Sequence, residues 1–168
     1  MSLTMYEVSV PALKRGLSSL SGLIDKADAH VREKGLAPAA LLDARLADDM
    51  FPFVRQVQIA SDSAKGTGAR LVGLTPPSFE DTEASFPELK ARIAKTLAFL
   101  DTLTPAQFDG SESRTIEMAM RQGTLTFDGK SFLLGFALPN FYFHVTTAYD
   151  ILRHQGVALG KRDYLGGL

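Results

Sequence analysis

The stretch Asn140 to Gly156 reads NFYFHVTTAYDILRHQG, and its histidine, His144, follows Phe141 by three residues and precedes Ala148 by four. Helical spacing puts that imidazole on the face of Phe141, Val145, Ala148 and Leu152, pointing into a core. Two chemistries are open to it. A neutral imidazole ligates zinc, nickel or iron, whereas a core histidine hydrogen-bonds to a carboxylate or a backbone carbonyl. Catalytic zinc takes three protein ligands, and the other histidines do not supply them. His154 lies about 15 Å further along the helix and about 80° around it. His30 sits beside Val31, the last apolar position of the first helix, and reads as a surface residue.

Helix two offers polar partners. Asp49, Phe53, Gln56 and Ala60 fall along one edge of its inward stripe, so Gln56 is placed to face His144 across a bundle as a hydrogen-bond partner and a weak ligand. Asp49 also suits the positive end of that helix. Asp62 lies about 240° around from Gln56 and is expected to face solvent or another subunit. On the last helix Tyr149 and Arg153, four apart, form one polar ledge; the simpler reading is interhelix hydrogen bonding and an ion pair with Asp150 or a carboxylate of helix three. The segment GTGARLVG follows a helix rather than a strand and carries no weight as a phosphate loop; no nucleophile elbow or paired metal-spacing carboxylates occur.

The elements that must hold these groups follow from period. Val10, Leu13, Leu17, Leu20, Ile24, Ala27 and Val31 recur at threes and fours, and Gly35 ends that helix. Pro52 suits the first turn of helix two, whose inward face is Phe53, Val57, Ala60, Ala64 and Leu71, with Gly66 and Gly68 weakening its last turns. After a connection long enough to cross the molecule, Ser85 and Glu88 make a capping box around Pro87. They open helix three, with Phe86, Leu89, Ile93, Leu97, Leu100 and Leu103 inward. Ile116, Met118 and Met120, then Leu125 and Phe127, alternate on either side of Gly123 and predict a small β-hairpin. Pro139 is expected to break or kink the helical pattern that resumes, with Asn140 capping helix four from Phe141 to Gly156.

The 168 residues suit a single domain, residues 1–168; 45% are hydrophobic and 22% charged. A formal net charge of −1, with lysines and arginines scattered singly, argues against nucleic acid and anionic membrane. Zero cysteines exclude disulfides, thiolate ligands and a cysteine nucleophile. The amino terminus lacks a basic region ahead of an apolar run, so no export signal is read and a cytoplasmic location is the expectation. The uncharged run Ser131 to Tyr149 contains Gly135, Pro139, Asn140 and His144, and reads as buried core rather than a membrane span. Four amphipathic helices with a hairpin between the third and fourth predict an all-α four-helix bundle.

Three segments, LADDMFPFVRQVQIASDSAKG, FEDTEASFPELKARIAKTLAFL and LPNFYFHVTTAYDILRHQGVALGKRDYLG, in that order, resemble a domain-of-unknown-function branch of the DinB/YfiT-like superfamily. The resemblance implies an up-down-down-up bundle, bacterial in type and often homodimeric, whose relatives bind a divalent metal and include thiol-dependent transferases and isomerases. Their ligands are one histidine on helix two and an HxxxH pair on helix four. Here His144 matches the first member of the pair, Ala148 stands at the second, and Gln56 lies nearest the helix-two position. Two expectations follow. One is a degenerate metal site serving a small-ligand-binding or dimerising module, without a resident cofactor. The other is a divalent-metal-dependent enzyme, of transferase, isomerase or hydrolase type, using His144.

Overall fold

A computed structural model describes residues 3–120 and 123–166. In chain order it holds α1 (Met5–Lys34), α2 (Ala39–Leu42), α3 (Phe53–Leu71), α4 (Phe86–Asp101), β1 (Thr115–Met120), β2 (Gly123–Asp128), α5 (Gly129–Ser131), α6 (Leu138–His154) and α7 (Lys161–Leu165). The chain is mostly helical, with one two-stranded antiparallel sheet.

The long helices form where apolar period and caps agree. On α1 the Thr4 hydroxyl accepts the Glu7 N–H while the Glu7 carboxylate accepts the Thr4 N–H, and Gly35 closes the helix at φ 62°, a left-handed value that suits glycine. Its stripe of Leu13, Leu17, Leu20 and Ile24 is fully buried. Helix α3 runs on through Gly66 and Gly68 to Leu71 despite their low propensity. A Cβ at Gly68 would lie 2.7 Å from Leu103 Cδ1 and 2.9 Å from Leu100 Cδ2, so the glycine lets the end of α4 close on α3 and packing overrides propensity. Ser85 caps α4, and the Glu88 carboxylate takes the Ala84 N–H at 2.7 Å, one residue earlier than a standard box.

One apolar core joins α1, α3, α4 and α6. Between α3 and α4, Asp62 meets Arg92 and Gly68 meets Leu100; between α1 and α4, Lys14 pairs with Asp101 and Asp25 with Lys90. Between α3 and α6, Gln56 meets His144 and Ser63 meets Asn140. Gly16 on α1 receives the ring of Phe141.

The hairpin pairs Ile116 with Phe127 and Met118 with Leu125. Ile116 is buried, and Phe127 packs on Phe132 and Phe136 with ring centroids 6.0 and 5.7 Å away. The Met120 side chain lies outside the described residues.

Helix four departs from its expected start. Pro139 neither breaks the chain's helical path nor leaves Asn140 as a cap: α5, capped by Asp128, leads through a π-helical stretch at Phe132–Ala137 straight into α6. A proline conflicts with the carbonyl four residues earlier, here Gly135, and a wider i→i+5 turn relieves that conflict. Asn140 instead donates its side-chain N–H to Ser63 Oγ at 3.3 Å. No helix among the described residues is long and apolar enough to cross a membrane. The tail returns as α7 against α1, where Lys26 pairs with Asp163 at 2.7 Å.

Candidate functional site

Gln56, on the first turn of α3, and His144, in the middle of α6, are both buried, and Gln56 Oε1 lies 2.7 Å from His144 Nδ1. The amide's orientation fixes the imidazole's. Gln56 Nε2–H donates to the Phe51 carbonyl at 3.0 Å, so Oε1 is the atom turned toward the ring. An amide oxygen only accepts, so Nδ1 carries the proton and Nε2 keeps its lone pair. Nε2 has no protein partner among the described residues, yet it is not among their sealed, unpartnered atoms. His144 therefore offers one oriented acceptor at the rim of the core.

One aromatic ring lies beside the imidazole. The Phe143 ring stands edge-on to His144, centroids 5.2 Å apart, and Phe143 and Phe51 are each 56% exposed. Arg55 lies over the Phe51 ring, 5.9 Å from its centroid, and is held by Asp81 and by Gln58 Oε1 at 3.2 Å.

Burial, and secondarily the charge of Arg55, hold His144 below its ordinary pKa of 6.5. The unfolded chain then takes up a proton that the folded chain refuses as pH drops below 6.5. The stability tied to neutral His144 is complete above that pH and declines as pH falls toward the folded-state pKa. Between pH 7.5 and 5.5 the wild-type Tm is expected to fall more than that of His144→Asn, whose amide can still donate toward Gln56. Every other ionisable group is common to the two proteins. Equal slopes in thermal melts would refute the assignment.

The remaining expected residues do not join this pair. Asp49 is exposed in the turn before Pro52, outside α3, because the helix begins only at Phe53. Tyr149 turns away from His144 and packs edge-on against Tyr164, centroids 5.9 Å apart. Arg153 is exposed at the end of α6 and makes no ion pair with Asp150 among the described residues. His154 is exposed and His30 half-buried, far from a shared centre. Asp62 corrects its expected solvent-facing role: it accepts from Arg92 at 2.7 Å and Lys65 at 2.8 Å, since α4 packs on that side of α3.

The residues present do not fit a divalent metal. Gln56 Oε1 is engaged by Nδ1–H, Ala148 is fully buried core, and no group of three or more His, Asp or Glu side chains able to hold an ion occurs among the described residues. Arg55 adds a positive charge where a cation would sit.

Sequence reasoning passed over Arg92, the most heavily bonded side chain of the molecule's polar seam. It donates to Glu83, Asp62, Ser61 Oγ and the Glu80 carbonyl and forms an ion pair with Asp81, while itself buried. The available signal was its place three residues after Leu89, on the inner edge of its helix, downstream of the acidic run Glu80-Asp81-Thr82-Glu83.

Comparison with known proteins agrees with this fold. The family described as "Domain of unknown function (DUF1993)" matches residues 5–165. The crystal structure of a DinB family member protein from Shewanella denitrificans superposes with a TM-score of 0.92 at 42% identity, covering 98% of this chain and 93% of that one. No curated protein matches. With nearly its whole length matched by both, the chain belongs to the DUF1993 family of unknown function, within the DinB-like superfamily.

Proposed function

We propose that this chain is a single up-down-down-up four-helix bundle whose ancestral metal position has become a metal-free pocket for a small ligand, centred on His144. The residue pairs support that topology. Along α3 and α4, Asp62 meets Arg92 and Gly68 meets Leu100, so numbers rise together, whereas they run oppositely between α1 and α4 and between α3 and α6. The observation that carries the function is the Gln56 amide on Nδ1. It accepts from Nδ1–H, which selects that tautomer of the neutral ring and leaves Nε2 as the acceptor. The ligand class that suits it offers an N–H or O–H to Nε2 and lays an apolar or aromatic body against the exposed Phe143.

Nitrogen-15 spectra of the imidazoles, taken with zinc, nickel or iron added to tag-free protein and to His144→Ala, test this reading. The expected result is a neutral Nδ1–H tautomer whose Nε2 resonance ignores zinc, with less than one metal retained per chain after dialysis. About one metal per chain, lost in His144→Ala, would overturn it in favour of a metal-dependent enzyme.

A further inference from the structure

The connection between α3 and α4 is held by charge. From Gly73, at φ 76°, to the cap Ser85, no residue is buried and none belongs to the apolar core. Among the described residues the backbone between Thr75 and Glu83 makes no hydrogen bond to other backbone; its Glu80 carbonyl accepts from Arg92 Nη1 at 2.9 Å. The remaining anchors are side chains. Arg92 Nη1 lies 3.0 and 3.2 Å from the two Glu83 oxygens, and Nη2 lies 2.9 Å from Asp81. Gln58 Nε2 donates to Glu83 at 2.9 Å and Arg55 to Asp81. Three cations surround the Phe79 ring: Lys95 at 4.1 Å, Lys65 at 4.8 Å and Arg92 at 5.7 Å from its centroid. Beneath the strap, between Phe79, Thr82 and Glu83 on one side and Ala91, Arg92 and Lys95 on the other, runs a cleft of about 440 Å³.

We propose that residues 75–84 are a charge-latched lid over the polar seam of α3 and α4, with Arg92 as the fixed half of the latch and Asp81 and Glu83 as the moving half. An apolar loop opens only by exposing core, whereas this one opens by exchanging ion pairs for water. Opening uncovers Arg92 and Lys65, one buried cation on each of two helices, next to the exposed Lys95 and beside the buried Ser61–Thr96 hydroxyl pair. It also releases Arg55 from Asp81, so the lid is joined to the flank of His144. The proposal does not depend on the ligand reading of that histidine.

Limited chymotrypsin digestion of the native full chain tests it, comparing wild type with an Asp81→Asn/Glu83→Gln double variant. Both changes lie on the strap, outside the apolar core, and Asp62 stays paired with Arg92, so the bundle is expected to remain folded. Cleavage after Phe79 is expected to quicken about tenfold in the variant, because proteolysis follows the population of the open form. Cleavage within α1 and α6 should stay at the wild-type rate. An unchanged rate at Phe79 would overturn the proposal, and so would equal acceleration at helical sites, which would make these carboxylates supports of the whole core.

Discussion

Arg92→Ala is expected to destabilise the protein by about 3 kcal/mol, read from urea or thermal unfolding, the lower end of what breaking a buried ion pair costs. Arg92 is 3% exposed, and its guanidinium satisfies acceptors on both α3 and the strap. Burial alone would weaken its hold on the proton; the Glu83 hydrogen bond and the charges of Asp62 and Glu83 outweigh that and raise its pKa, so the cation is the stable form. Removing it leaves Ser61 short of a donor and Glu83 without its main counter-charge. Asp62 and Asp81 keep more than a third of their side chains in water, which is why the loss does not reach the upper end. Arg92→Met, which keeps the apolar stem, should recover only the packing part. A loss below about 1 kcal/mol for Arg92→Ala would place the network among ordinary surface pairs.

Much of the scaffold was legible in the chain because helix period, caps and turn residues point the same way. Leu13, Leu17, Leu20 and Ile24 recur at threes and fours, and all are sealed in the core. The hairpin was legible for the same reason, since alternation around Gly123 is incompatible with a helix period. Gln56 opposite His144 followed from two helix faces with an inward polar edge each. The start of α6 was not legible: a proline reads as a stop, whereas a π-helical turn, with Phe132 and Phe136 packed on Phe127, carries the chain past it. Asp49 was misplaced because the proximity of a carboxylate to a helix start does not say whether the turn before Pro52 is part of the helix. The Arg92 network escaped because its acids come from a connection without period, and side-chain anchoring of a loop leaves no repeating trace in sequence.

Phe141→Ala is expected to cost about 3 to 5 kcal/mol, the usual range for emptying a buried aromatic position. The ring is fully buried one turn before His144 and fits where α1 has no side chain: a Cβ at Gly16 would stand 2.5 Å from Phe141 Cε1 and 2.7 Å from Cζ. That fit makes a sharper test than the single loss. Gly16→Ala alone should destabilise the protein by about 1 to 3 kcal/mol through overpacking. In the Phe141→Ala background the same change meets no ring, and alanine's helix propensity should make it stabilising by up to about 1 kcal/mol. A reversal of sign in the double-mutant cycle would establish that α6 is seated on α1 by this one ring. Additive effects would mean that the helix is held elsewhere, and the orientation of His144 would then rest on Gln56 alone.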